Sequence, residues 1–213
     1  MFVCLYMEKG ESHNVFKVYD KIASWYAKHR DVGLIEKNYL DRVIDFLPNE
    51  CKVLDLGCGT GKPILEYLQR KSINVTGVDA SGKMLEIARS SFPMTEFILQ
   101  DMRRLNLAKR FDAIIAWHSF FHLPAADQPA MFKVFQEHLN CNGILLFTSG
   151  YEQGETWGIN GGENLFHASL DQKEYKDLLI KHNFKVLDCV RRDPDCGYAT
   201  IWMAQYSFVT NLI

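Results

Sequence analysis

The chain has 213 residues, 47% of them hydrophobic and 23% charged, with a formal net charge of -2. That is enough to bury one sizeable core and too little for two, and the charge balance gives no general attraction for a nucleic-acid polyanion. The six cysteines (Cys4, Cys51, Cys58, Cys141, Cys189, Cys196) are scattered without a C-x-x-C pair, which argues for reduced thiols and against a structural zinc site or a disulfide framework.

The opening MFVCLYMEKGE is apolar for too short a run to span a membrane, and it lacks the basic start of a signal peptide. No other stretch is longer, so a cytoplasmic protein without membrane contact is expected. Two helical patterns follow, Val15 to Tyr26 and Leu34 to Leu47. Apolar residues recur in them every three to four positions, with a break at Asp31-Val32-Gly33 and a stop at Pro48.

From there the pattern alternates. Short β-branched-rich runs near 52–56, 73–78, 96–99, 111–117 and 143–148 are separated by helical patterns at 62–70, 82–90 and 128–139. Strands alternating with helices predict βαβ units, a mostly parallel sheet and helices on both faces. A glycine-rich stretch, 150–169, reads as a long connection, and connections that long are commonly functional. A helix near 171–181 precedes two strand-like runs, 184–190 and 198–209, which predict an antiparallel hairpin at the sheet edge.

Asp55 closes the first strand, and Gly57-Cys58-Gly59-Thr60-Gly61 turns into a helix. Glycines there permit positive φ and close approach of a ligand to the backbone, and the helix start offers free N–H groups. A P-loop is excluded: the spacing to Lys62 is one residue short, and Pro63 stands where a metal-binding hydroxyl belongs. A dinucleotide fingerprint needs glycine where Lys62 stands, and Asp55 opposes a pyrophosphate but suits a cation. A tight turn with no ligand is the third alternative.

The run D-L-G-C-G-T-G resembles motif I of the class I S-adenosylmethionine-dependent methyltransferases. The resemblance implies a Rossmann-like doubly wound α/β fold with a mostly parallel seven-stranded sheet and an antiparallel C-terminal strand. It implies that S-adenosylmethionine lies with its methionine end against Asp55, Gly57 and Gly59. The second strand ends in Asp79, and Asp79-Ala80-Ser81-Gly82-Lys83-Met84 resembles the family's ribose-binding acid followed by an adenine-pocket methionine; Ser81 reads independently as a helix N-cap. Asp101 and Met102, after the third strand, match the family's adenine contacts. The segment holding Tyr19, Asp20, Ala23, Trp25, Tyr26 and Arg30 resembles the lid helix of small members, with Trp25 closing over the cofactor and Arg30 reaching its carboxylate.

Trp117 and His118, at the end of the fourth strand, are expected to face the sulfonium. Trp117-His118-Ser119-Phe120 departs from the [DN]-P-P-[YF] motif of nucleic-acid amino methyltransferases, which disfavours DNA or RNA base methylation, and the aromatic content of the glycine-rich stretch suggests a small, partly apolar acceptor. Where the acceptor is protonated, His118, His122 and His167 are the candidate general bases. His13, His29, His138 and His182 read as surface or helix-face residues, and no metal ligand set is expected. The chain is read as one domain: lid helices in 1–48, a cofactor core in 51–150, and a substrate loop with the final hairpin in 151–213. Two other functions remain open, a protein that binds S-adenosylmethionine or its demethylated product without turnover and a nicotinamide-dependent oxidoreductase.

Overall fold

A computed structural model describes residues 11–30 and 33–207. In chain order the elements are α1 (Phe16–His29), α2 (Lys37–Ile44), β1 (Lys52–Leu56), α3 (Ile64–Arg70), β2 (Asn74–Asp79), α4 (Gly82–Ser91), β3 (Glu96–Leu99), β4 (Phe111–Ala116), α5 (Gln128–His138), β5 (Leu139–Ser149), β6 (Gly154–Asn160), β7 (Glu163–Ser169), α6 (Gln172–Lys181), β8 (Phe184–Asp193) and β9 (Ala199–Tyr206). The reading of the first ten residues and of the Asp31-Val32 break falls outside the described residues, as does the expected extension of the last strand to 209.

The main sheet has seven strands in the order β3-β2-β1-β4-β5-β9-β8. The first five are mutually parallel, and β9 runs antiparallel to both β5 and β8. The final two strands do form a hairpin, but only β8 is an edge; β9 lies inside the sheet. Its sequence explains this, because Ile201, Trp202, Met203 and Ala204 are all buried and leave β9 no solvent face.

Alternation along each strand divides the core in two. Leu54, Ile114, Phe147 and Trp202 pack on one face with Phe132 and Phe135 of α5 and Tyr175 of α6. Val53, Ile115, Leu146 and Met203 pack on the other with Leu40 of α2, Leu65 and Leu68 of α3, and Leu85 of α4. Both faces are therefore covered by helices, as parallel strands buried on both sides require.

The 150–169 stretch differs from expectation. It is not a structureless connection but a two-stranded antiparallel hairpin, β6–β7, paired from Gly154–Ser169 to Asn160–Glu163. Its turn is Gly161-Gly162, both at positive φ (58° and 85°), as the tight turns matched to strand twist require. Leu165 and Phe166 of β7 pack against Val15 and Val18 at the start of α1. No described helix is long and apolar enough to cross a membrane.

Candidate functional site

The loops at the carboxyl ends of β1, β2, β3 and β4 enclose one cavity, roofed by α1. The order of strands reverses between β1 and β4, the position at which open α/β sheets form their ligand crevice. Arg30, Asp55, Gly57, Gly59, Asp79, Met84, Asp101, Met102 and Trp117 all line it, together with His118 and His122.

The three glycines of the first loop all have positive φ (81°, 53° and 79°) but serve different ends. A Cβ on Gly57 would fall 2.2 Å from Ser119 Cβ, and one on Gly61 would fall 2.9 Å from the Phe92 ring. Those two are glycine because neighbouring elements occupy the space. A Cβ on Gly59 would meet nothing within 4 Å, so only this glycine keeps its approach to the cavity open. Ser119 also donates its hydroxyl to the Leu56 carbonyl at 2.7 Å, which ties the β4 loop to the glycine loop.

Asp55 is 3% exposed and has no hydrogen-bond donor among the described residues. Burial, then the nearby Asp79 and Glu36 carboxylates, push its pKa up to about 8. Asp79 accepts the N–H groups of Gly59 and Ser81, both at 2.8 Å, which orients it across the glycine loop. Burial still raises its pKa against those donors. A buried acid without a donor keeps its proton unless a cation stabilises the charged form. The two arginines that line the cavity are engaged: Arg30 pairs with the buried Glu36 at 3.5 Å, and Arg103 is bound by Asp101 and Asp127.

Asp101 lines the cavity while accepting from the backbone N–H of Arg103 at 2.9 Å and from its guanidinium. Met84 is buried at the start of α4, whose first turn Ser81 caps by accepting the Met84 N–H at 3.1 Å. The same Ser81 hydroxyl donates to Asp20 of α1 at 2.7 Å, and Asp20 also accepts the Lys83 N–H at 3.0 Å. This latch between the roof helix and the α4 cap is not visible as a pair in the sequence, because its partners stand about sixty residues apart.

Trp25 does not join the site. It stacks on His29 with ring centroids 4.6 Å apart and sits against Gly161 at the tip of the β6–β7 hairpin. Helical spacing turns Trp25 away, and Tyr19 and Tyr26 line the cavity in its place. Trp117 is buried and its indole N–H has no partner among the described residues.

The three candidate histidines are close together but unequal. His122 Nδ1 donates to the Phe166 carbonyl at 2.8 Å, so its Nε2 accepts the Tyr19 hydroxyl at 2.8 Å. Burial, with the neighbouring His167, lowers its pKa to about 3. His118 stands in the left-handed region (φ 48°), and its N–H donates to Thr148 Oγ1 at 2.8 Å. Burial, then Arg30 and His167, lowers its pKa to about 4. His167 lies outside this cavity and lines a second one beneath the hairpin. His138 corrects the surface reading: it is buried, and its Nε2 accepts the Leu107 N–H at 3.0 Å, a structural role.

A family model described as a methyltransferase domain matches residues 53–143, the stretch from β1 into β5 that carries these loops. In this stretch and in its fold the chain is similar to the class I methyltransferases. A Haemophilus influenzae protein is 29% identical over 70% of the chain, and the demethylmenaquinone methyltransferase of Thermotoga maritima is 35% identical over 53%. The chain covers 63% and 51% of those relatives' own lengths. Among solved structures, an S-adenosylmethionine-dependent methyltransferase from Clostridium acetobutylicum superposes with a TM-score of 0.71 at 18% identity, covering 90% of this chain and all of that one. The family match disfavours the dinucleotide reading, in line with the acid at Asp55 and the lysine at Lys62. No cluster of potential metal ligands occurs among the described residues.

Proposed function

We propose that this chain transfers a methyl group from S-adenosylmethionine to a small molecule. The observation that carries the reading is Asp55, a buried acid without a donor among the described residues, at the start of a loop in which Gly59 is the one glycine whose approach is open. When bound, S-adenosylmethionine supplies a methyl group already activated by its positive sulfur. Asp55 would hold the methionine ammonium, Asp79 the ribose hydroxyls, Met84 the wall of the adenine pocket, and Asp101 with Met102 the adenine edge. Arg30, at the end of the roof helix, lines the same cavity and would hold the methionine carboxylate. The chain's contribution is to orient the reactants and exclude water, which can supply about 7–11 kcal/mol in favourable models.

A small acceptor is supported by the departure at Trp117-His118-Ser119-Phe120 from the nucleic-acid amino methyltransferase motif, and by relatives such as the demethylmenaquinone enzyme. In this reading the segment before β1 is a lid, residues 51–150 are the cofactor core and the β6–β7 hairpin covers the acceptor.

Calorimetric titration of S-adenosylmethionine into wild type, Asp79→Ala and Asp79→Asn tests this. Micromolar binding that both variants weaken roughly 10- to 100-fold is expected, the loss of a charged hydrogen bond. Absence of binding to folded wild type would refute the assignment. Release of S-adenosylhomocysteine in the presence of an acceptor separates turnover from binding alone.

A further inference from the structure

Two cavities meet at His118. The first is the one described above. The second lies between the end of β5 at Ser149-Gly150, the β6–β7 hairpin and the turn around Tyr198 before β9. Among the described residues His118 alone lines both. The ring packs between Trp117 and Phe121, with centroids 5.3 and 5.6 Å away. Its backbone sits at φ 48°, a region side-chain-bearing residues adopt rarely and often for a functional reason.

Ring-nitrogen partners distinguish the three histidines. Both nitrogens of His122 are used, by the Phe166 carbonyl and the Tyr19 hydroxyl. His167 is hydrogen-bonded to the Leu165 backbone. His118 has no hydrogen bond at either ring nitrogen among the described residues. A half-buried imidazole with both nitrogens uncommitted, placed where two cavities join, is built to take a proton from something bound between them.

The second cavity also limits what that something is. Phe121, Tyr151, Trp157 and Tyr198 supply aromatic walls, Glu152 and Glu155 are its charged lining groups, and no lysine or arginine lines it among the described residues. Aromatic walls favour a flat ring, and two lining carboxylates without a lining lysine or arginine disfavour a carboxylate or phosphate; Arg192 is engaged over the Tyr151 and Tyr198 rings, 4.6 and 5.7 Å from their centroids.

Resting on the methyl-transfer reading, we propose that His118 is the catalytic base and that the acceptor is an uncharged, flat aromatic or heteroaromatic molecule bearing an ionisable O–H or N–H. The acceptor's O–H or N–H bond breaks and its proton passes to a His118 ring nitrogen. The released pair forms the bond to the methyl carbon, while the carbon–sulfur pair leaves on sulfur as a neutral thioether. The His118 imidazolium then gives its proton to water. Arg30 from α1, His122 from the β4 loop and His167 from β7 face His118; burial and these neighbours keep it unprotonated at neutral pH.

The test compares wild type with His118→Asn, a residue that tolerates left-handed backbone, and with His118→Gln. S-adenosylhomocysteine binding is measured first, by calorimetry. The probes are 2-naphthol, cyclohexylamine and hexanoate, each assayed for binding in the presence of S-adenosylhomocysteine and for methylation. Binding and methylation are expected for 2-naphthol alone. Both variants should keep their S-adenosylhomocysteine and 2-naphthol affinities within about threefold and lose roughly 100-fold or more in kcat. The variants' kcat should then climb with pH as the naphthol ionises by itself, while the wild-type kcat changes less. Unchanged kcat, an unchanged pH profile or a parallel loss of S-adenosylhomocysteine affinity overturns the role of His118. Failure of 2-naphthol to bind, or methylation of the aliphatic amine or the carboxylate, overturns the acceptor class. Failure of wild type to bind S-adenosylhomocysteine overturns the underlying reading instead.

Discussion

Asp55 shows how far burial moves the titration of an ordinary carboxyl group. Its raised pKa means that the folded chain holds this proton more tightly than the unfolded chain does. Stability contributed by the protonated form is therefore present below the ordinary carboxylate range and is lost as pH climbs toward about 8. The Tm difference between Asp55→Asn and ligand-free wild type should grow in the variant's favour over that window; a constant difference would refute it. Binding of a cation requires the ionised acid, so S-adenosylmethionine affinity of wild type should rise with pH, up to tenfold per unit, between roughly pH 5.5 and 7.5, with up to one proton released. The glycines beside Asp55 teach a related lesson. Their spacing announced a close approach, but Ser119 and Phe92, not a ligand, occupy the space at Gly57 and Gly61.

The β6–β7 hairpin is the element whose function is most exposed to test. It places Trp157 on the second cavity, with its ring 5.0 Å from Phe166, and packs β7 under the roof helix. Trp157→Ala should weaken 2-naphthol binding about tenfold, the loss of one large aromatic contact, and leave S-adenosylmethionine affinity nearly unchanged. Equal losses for both ligands would mean that the hairpin supports the whole site and does not cover an acceptor alone. A signal for this hairpin was present: Asn160-Gly161-Gly162-Glu163 between Trp157-Gly158-Ile159 and Leu165-Phe166 carries the glycine pair of a two-residue turn. The abundance of glycine around it concealed the strands. The roof helix shows the opposite case, in which periodicity identified a helix but an offset of one residue decided whether Trp25 or Tyr26 faces inward.

Across the molecule, the sheet order brings loops from β1, β2, β3 and β4 to one edge, and the core beneath holds that edge still. Trp202 in β9 is fully buried and stacks on Phe147 with a centroid separation of 5.8 Å. Trp202→Ala should destabilise the protein by about 3–5 kcal/mol, read as a shift in the denaturation midpoint, while the folded fraction binds S-adenosylmethionine normally. A loss of affinity in the folded protein would show that the core transmits strain to the loops. Strand and helix alternation, the acids at successive strand ends and the Ser81 cap were legible from the chain alone, because period, backbone preference and capping act over a few residues. The insertion of β9 between β5 and β8, the burial of His138, the Asp20–Ser81 latch and the contrast between His118 and His122 were not. Each depends on a partner far away in the chain, and a side chain's proton, exposure and aim are set by whichever distant element the fold packs against it.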